Sequence, residues 1–234
     1  MILAETPHVP VAVVVFDVNE TLSDMAPMAD RFAEVGAPPG LAPLWFAGVL
    51  RDAFALTAAG STDRFATFAR DGLRTAFHGV PLTRDVDDAV RHVLDGFQGL
   101  AVHPDVADGV RALRADGHRL VTLSNGATEV AEGLLERAGL RGEFERVLSV
   151  EQAGVWKPAP GSYAYAAREC GVPPAEMLLV AVHPWDIDGA LRAGLAGCWL
   201  NRSGAPYPTH CLAPTHTVAT LPELAERLGR PDRG

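Results

Sequence analysis

Short apolar runs without polar alternation recur along the chain, and such runs are typical of strands buried on both faces of a parallel sheet. The first, residues 11–16, is rich in β-branched side chains. Similar runs follow at residues 120–123, 147–150, 177–182 and 197–200. Helical patterns separate or follow them, at residues 106–115, 127–138, 162–169, 187–193 and 222–228, with Gly139 placed as a helix C-cap. The alternation of strand and helix predicts an α/β fold with a doubly wound parallel sheet.

The segment between residues 24 and 100 lacks this alternation. It carries four helical patterns, at residues 26–35, 41–59, 63–77 and 84–97, separated by glycine- and proline-containing breaks. A helical block inserted after the first strand is a candidate cap over the carboxyl ends of the strands, where open α/β sheets place their sites. We therefore predict a core of residues 1–22 and 101–234, with a helical cap of residues 23–100.

Polar motifs follow the predicted strands. They are FDVNETL with Asp17 and Thr21, LSNG with Ser124 and Asn125, WKP with Lys157 ahead of Tyr163, and VHPWD with Asp186. Taken singly, each has an ordinary interpretation as a helix cap, a turn residue or a surface lysine. Because the carboxyl ends of parallel strands meet at one edge of the sheet, a shared site is the better interpretation of all four together.

The residue types at these positions suggest a division of labour. Asp17 can act as a nucleophile and form an ester that water later cleaves. Thr21 can hold that carboxylate by a hydrogen bond, and Ser124 and Asn125 can bind an anion near a helix start. Lys157 can keep a buried carboxylate ionised. Asp186 can orient either the lysine or the hydrolytic water.

Composition narrows the class of protein. The formal net charge is −9 and no basic cluster is present, which argues against nucleic acid as a partner. Three cysteines without regular spacing indicate reduced thiols in a cytoplasmic protein. The first ten residues have no positively charged region and no long apolar stretch, so we predict neither a signal peptide nor a membrane anchor there.

The four motifs, in this order, resemble those of the haloacid dehalogenase superfamily, and most closely the type II L-2-haloacid dehalogenases. The resemblance covers essentially the whole chain and implies a Rossmann-like core with a helical cap. It implies a hydrolase that needs no cofactor or metal, with Asp17, Thr21, Lys157 and Asp186 as catalytic residues. Its small-molecule substrate would be a short 2-haloacid, and a homodimer is favoured. We expect the substrate to contact Asn19, Trp45, Phe46, Ser124, Asn125, Tyr163 and His183.

Several positions depart from patterns in this superfamily. Phosphatases of the superfamily carry a general-acid Asp where this chain has Asn19, and a further acidic residue in the fourth motif to hold Mg²⁺. The dehalogenases carry an Arg directly after the cap Trp, where this chain has Phe46, and an Asn at the position of His183. Arg51, farther along the same predicted helix, is a candidate replacement for that Arg. The alternatives are a Mg²⁺-dependent phosphatase of a small metabolite, or a protein of this fold with altered specificity or no turnover.

Overall fold

The computed structural model describes residues 11–229, and within them a six-stranded parallel sheet forms the centre of the fold. The strand order is β3-β2-β1-β4-β5-β6. The strands are β1 (Val13–Phe16), β2 (Arg119–Ser124), β3 (Arg146–Ser149), β4 (Met177–Ala181), β5 (Ala196–Leu200) and β6 (His216–Val218). The predicted α/β class is confirmed.

The first strand is buried on both faces, as its unbroken apolar pattern predicts. Val13 and Val15 pack into one apolar cluster and Val14 and Phe16 into the other. Core helices cover the sheet: α5 (Val106–Ala115), α6 (Thr128–Arg137), α7 (Val150–Ala153), α8 (Pro160–Cys170), α9 (Pro184–Arg192) and α10 (Leu221–Gly229). Gly139 follows α6 with a φ of 64°, the left-handed conformation expected of a C-cap glycine.

Four helices lie between β1 and α5, as the cap prediction requires: α1 (Met28–Glu34), α2 (Leu41–Ala58), α3 (Phe65–Ala76) and α4 (Val86–Gln98). The two chain segments that connect them to the core run side by side through an antiparallel bridge between Ser23 and Val102. The cap also contacts the core directly, because the indole N–H of Trp156 donates to the carbonyl of Asp63 at 3.0 Å. This contact places the cap above the loop that carries Lys157.

Helix α2 is long and apolar enough to cross a membrane by length and composition alone, with a mean hydropathy of 1.2. A third of it is buried in the fold, and core helices of globular proteins meet the same criterion. Trp45, Phe46 and Val49 of this helix are among the buried residues of the cap. Its apolar character is therefore accounted for in part by packing.

Several element boundaries differ from the sequence prediction, and short elements were missed. Strand β3 ends at Ser149 rather than residue 150, because the Ser149 hydroxyl accepts the N–H of Glu151 and starts α7. Helix α9 begins at Pro184 rather than residue 187, since proline is well suited to the first position of a helix. Strand β6 was missed because its three residues are too short for a pattern. The prediction that residues 1–10 contain no signal peptide lies outside the described residues.

Candidate active site

Asp17 lies directly after β1, between the carboxyl ends of β2 and β4. Phe16 is in register with Thr122 on one side and Val180 on the other, and the Asp17 N–H donates to the Val180 carbonyl at 3.0 Å. The Thr21 hydroxyl donates to Asp17 Oδ2 at 2.7 Å and accepts the backbone N–H of Val182. Asp17 is therefore held at the centre of the sheet edge and does not cap a helix.

Lys157 is the only lysine of the chain, and its side chain is fully buried. Its Nζ lies 2.9 Å from Asp17 Oδ1 and 2.5 Å from Asp186 Oδ2. A buried ammonium requires such partners, because desolvation of an unpaired charge costs several kcal/mol. Lys157 therefore joins the two carboxylates, and the interpretation as a surface lysine is excluded.

Tyr163 supports Asp186 from behind. Its hydroxyl donates to Asp186 Oδ1 at 2.6 Å, so both oxygens of this carboxylate have a donor. The contact needs a glycine at position 189, because a Cβ there would lie 2.6 Å from the Tyr163 hydroxyl. Tyr163 is fully buried and positions Asp186, whereas the sequence predicted a contact with substrate.

Asn125 holds the backbone of Lys157. Its Oδ1 accepts the Lys157 N–H at 3.0 Å, and its Nδ2 approaches the Lys157 carbonyl at 3.4 Å. Ser124 Oγ accepts the N–H of Gly126, and a Cβ at Gly126 would lie 3.6 Å from Asn19 Nδ2, so these polar groups are neighbours. Asn19, Ser124 and Asn125 thus lie close together, and Asn125 is occupied by protein contacts.

His183 bridges Asp17 and a residue that the sequence did not single out. Its Nδ1 lies 3.1 Å from Asp17 Oδ2 and its Nε2 lies 2.8 Å from Glu20 Oε2. The ring also packs on Trp185, with centroids 4.9 Å apart. His183 is therefore tied to two carboxylates in addition to its packing on Trp185.

The charges of these groups shift their titration. Burial favours neutral Asp17, but the charges of Lys157 and His183 outweigh it and hold the pKa of Asp17 well below its usual value. Burial likewise opposes a charge on His183, but hydrogen bonds to Asp17 and Glu20 prevail and raise the pKa of His183 to about 9. The paired carboxylates raise the pKa of Lys157 despite its burial. At neutral pH the site thus holds an ionised Asp17 flanked by two cations.

Asp186 differs from Asp17. Burial raises the pKa of Asp186 even against the Lys157 ammonium, and the neighbouring Asp17 carboxylate adds to the rise. Asp17 is accordingly the stronger acid of the two. This asymmetry suits Asp17 as nucleophile and Asp186 as the residue that orients Lys157.

A cavity of about 570 Å³ opens between cap and core beside this cluster. Its wall includes Glu20 and His183 on the core side, and Met28, Ala42 and Phe46 on the cap side. Most of its lining is apolar. The cavity borders His183, which contacts Asp17, whereas Asp17 itself is not among the residues that line it.

Two cap residues considered from the sequence lie elsewhere. Trp45 is buried among cap aromatics, its indole N–H donates to the Ala69 carbonyl at 2.9 Å, and it does not line the cavity. The side chain of Arg51 is three-quarters exposed and pairs with Asp52. Because one helical turn spans 3.6 residues, Arg51 points away from the face that Phe46 presents. Arg51 is thus no replacement for a cationic residue in the cavity.

The fold and the site together define a class of protein. Its members are hydrolases with a parallel α/β core, a helical cap above it, and an Asp nucleophile at the end of the central strand. The sequence model of the haloacid dehalogenase-like hydrolases matches residues 11–194. The chain belongs to this family.

Individual relatives cover most of the chain. It is 30% identical over 210 residues to haloacetate dehalogenase H-2 of Moraxella sp. (strain B), covering 89% of this chain and 93% of the relative. The structure of the L-2-haloacid dehalogenase RSc1362 is similar, with a TM-score of 0.88, 30% identity and coverage of 94% and 100%. So is the L-2-haloacid dehalogenase of Xanthobacter autotrophicus with chloropropionic acid covalently bound, with a TM-score of 0.82, 27% identity and coverage of 92% and 97%.

Glu20 and Gly189 are the site residues that sequence reasoning missed. Glu20 lies inside the recognised motif FDVNETL, and Gly189 lies three residues after the recognised motif VHPWD. Glu20 carried no signal of its own, since its partner His183 is distant in sequence. Gly189 could have been found from a glycine within a helical pattern, which often marks a close approach of another element.

Proposed function

We propose that this chain is a hydrolytic dehalogenase of 2-haloacids that uses Asp17 as a covalent nucleophile and needs no metal. A carboxylate oxygen of Asp17 attacks the halogen-bearing carbon, the carbon–halogen bond breaks, and halide leaves. Water then cleaves the resulting ester at the Asp17 carboxyl carbon and releases the 2-hydroxy acid. The observation that carries the proposal is the buried Asp17–Lys157–Asp186 cluster, with the covalent chloropropionate complex of a related enzyme as support.

The local geometry fits each requirement of this reaction. A nucleophilic carboxylate must be ionised and largely desolvated, and Asp17 is only 4% exposed while two cations keep it charged. Lys157 is positioned by Asp186 and by the backbone contacts of Asn125. Ser124 and Asn19 lie near each other around Gly126 and are the candidates for contact with the substrate carboxylate.

The apolar cap wall suggests a substrate with an apolar substituent. The position that follows Trp45 is Phe46, which lines the cavity with Met28 and Ala42. A 570 Å³ cavity is within the range that encloses molecules much larger than a three-carbon acid. We therefore include longer 2-haloacids among the candidate substrates.

The test is halide release from a panel of 2-chloro- and 2-bromoacids with EDTA present, comparing wild type with Asp17→Asn. We expect halide from the wild type only, because amide nitrogen and oxygen are poor nucleophiles. Halide release that requires added Mg²⁺ would refute the metal-free reaction. If no acid releases halide but phosphate esters are hydrolysed with Mg²⁺, the phosphatase alternative is correct.

We also propose that the protein works in the cytoplasm as a homodimer. In the described residues Cys170, Cys198 and Cys211 are all free thiols, and the first two are buried, which suits a reducing compartment. Dimers are the commonest soluble oligomers. Light scattering coupled to gel filtration tests the dimer, and a monomer at micromolar concentration would refute it.

A further inference from the structure

Asp17, His183 and Glu20 form a continuous chain of contacts from the nucleophile to the cavity. The imidazole Nδ1 faces Asp17 Oδ2 at 3.1 Å, and Nε2 faces Glu20 Oε2 at 2.8 Å. Because each ring nitrogen faces a carboxylate, the resting ring carries two protons and donates both. A carboxylate, an imidazole and a reacting group in a row is the arrangement that general-base catalysis uses.

The backbone at Glu20 is fixed in an unusual conformation. Among residues 11–229, Glu20 is the one non-glycine residue with a positive φ, 63°. Its N–H donates to Ser23 Oγ, and its carbonyl contacts His103 Nε2 at 3.0 Å. A non-glycine residue held in this region is uncommon and often marks a functional position. The conformation places the Glu20 carboxylate on the cavity wall, in contact with His183.

Of the side chains that contact Asp17, His183 is the one that also borders the cavity. Lys157 is fully buried between two carboxylates and stays charged. Both oxygens of Asp186 are engaged, by Lys157 and Tyr163, and its side chain is fully buried. His183, in contrast, lines the cavity and its side chain is 13% exposed.

We propose that His183, oriented by Glu20, is the general base that activates water for cleavage of the ester formed on Asp17. This proposal rests on the proposed function. It assigns to the pair Glu20–His183 a role in the second half of the reaction, after halide has left. Substrate and water would both reach Asp17 past the imidazole.

The protons and electrons balance over the cycle. Formation of the ester removes the negative charge of Asp17, and His183 then loses its Nδ1 proton to solvent. The Nε2 proton stays on the ring and is still donated to Glu20. Water gives a proton to Nδ1 as its oxygen attacks the Asp17 carboxyl carbon. The tetrahedral intermediate collapses, the alkoxide leaves and takes the carboxyl proton, and the ionised Asp17 again faces imidazolium. One halide and one proton are released for each water consumed.

The charged groups around His183 explain why its titration depends on the state of Asp17. Asp17 and Glu20 contact the ring directly, Trp185 covers its face, and Lys157 and Asp186 act from behind Asp17. An opposite charge at contact distance shifts a pKa by about 1–3. Neutralising Asp17 therefore lowers the pKa of His183 from about 9 towards neutrality, where it can act as a base.

The first experiment compares wild type, His183→Gln and Glu20→Gln with a 2-haloacid that the wild type converts. Gln at position 183 can donate to Asp17 but cannot take a proton. We expect a burst of one halide per active site, an ester on Asp17 detectable by mass spectrometry, and turnover reduced about a hundredfold or more. Glu20→Gln should reduce turnover about tenfold and lower the pH at which turnover is half-maximal, since a neutral partner stabilises the imidazolium less.

Asp24→Asn is the matched control for Glu20→Gln. Asp24 lines the same cavity, and its carboxylate accepts the N–H of Ala26 rather than contacting His183. We expect its turnover and pH profile to match wild type. An equal loss in Asp24→Asn and Glu20→Gln would overturn the role of Glu20, because it would reflect only the charge of the cavity.

The second experiment needs no substrate. In Asp17→Asn the side chain is neutral, as in the ester, so the pKa of His183 measured by NMR of labelled histidine should fall by about 1–3. His183→Gln identifies the signal by its loss. An unchanged pKa would overturn the proposal.

The outcomes separate this proposal from the proposed function. Wild type that forms no ester on Asp17 with any haloacid overturns the proposed function. Wild type that forms the ester, together with a His183→Gln variant that hydrolyses it at the same rate, overturns the base alone. A stoichiometric burst with a trapped ester in His183→Gln supports both.

Discussion

Replacement of Lys157 by Met tests whether the buried cluster at the site is held by its single ammonium. Met keeps an unbranched stem of similar length but removes the charge that lies 2.9 Å from Asp17 and 2.5 Å from Asp186. At an effective dielectric constant of about 20, unit charges 2.9 Å apart attract by about 6 kcal/mol. The desolvation of Lys157 offsets much of this attraction.

Loss of one partner from a buried ion pair leaves the other charge uncompensated and costs about 3–5 kcal/mol. We expect the free energy of unfolding of Lys157→Met at about pH 7 to fall by that amount. The carboxylates left behind then favour protonation, so the deficit should shrink as the pH falls to about 5. Over that interval Asp17 of the wild type stays ionised, because its folded-state pKa lies below the unfolded value.

The assay is urea unfolding followed by circular dichroism at both pH values. Arg51→Met is the control, since it also replaces a cation by Met but on the exposed face of α2, and it should change stability by less than about 0.5 kcal/mol. A second variant, Lys157→Met with Asp186→Asn, should recover part of the loss because one buried charge is removed. A deficit below about 1 kcal/mol, or one independent of pH, would refute the reasoning.

The remaining predictions concern His183, a helix contact and the cap wall. The pKa of His183 in the folded protein is raised to about 9, so protonation of His183 contributes up to about 3 kcal/mol of stability. This contribution is fully present below about pH 6.5 and is lost as the pH rises through 9. Urea unfolding between pH 7 and 10 should show this fall in wild type and a flatter profile in His183→Gln. Gly189→Ala should lower stability by about 1–3 kcal/mol in thermal unfolding, because the added Cβ meets the Tyr163 hydroxyl. Gly142→Ala, whose added Cβ has nothing within 4 Å, should change stability by less than about 0.5 kcal/mol. Equal effects of the two variants would contradict the contact. Phe46→Arg should lower the KM for 2-chloropropionate about tenfold and raise the KM for acids with long alkyl chains. Leu44→Arg, on the exposed side of α2, should leave both KM values unchanged. The measurement is steady-state halide release, and the opposite trend in KM would contradict the prediction.

Much of the fold followed from local patterns in the chain. The run that contains Val13–Phe16 has no polar position, and a strand buried on both faces needs none. The cap helices carry clear punctuation by glycine and proline, so their existence was predictable and only their ends moved by one to a few residues. Short elements such as α7 and β6 were missed because three or four residues hold no period.

The approximate site was also within reach of the sequence. Parallel strands bring their carboxyl ends to one edge, so Asp17, Ser124 and the motifs of Lys157 and Asp186 had to lie near one another. The type of chemistry was implied by the resemblance of these motifs, in this order, to those of the haloacid dehalogenase superfamily. Contacts within the site did not follow, because they depend on side-chain direction and on distances below 3.5 Å.

The sequence by itself determined the class of fold, the cap and the set of polar residues at the sheet edge, because period and order along the chain encode them. Only the tertiary structure decided which of those residues face the cavity. Trp45 lies in the cap core, where its indole N–H donates to the Ala69 carbonyl. Tyr163 positions Asp186, and Asn125 positions Lys157. Glu20 contacts His183, which is distant from it in sequence. The physical reason is that burial and hydrogen bonding are properties of the packed neighbourhood, in which each polar group must find its partner.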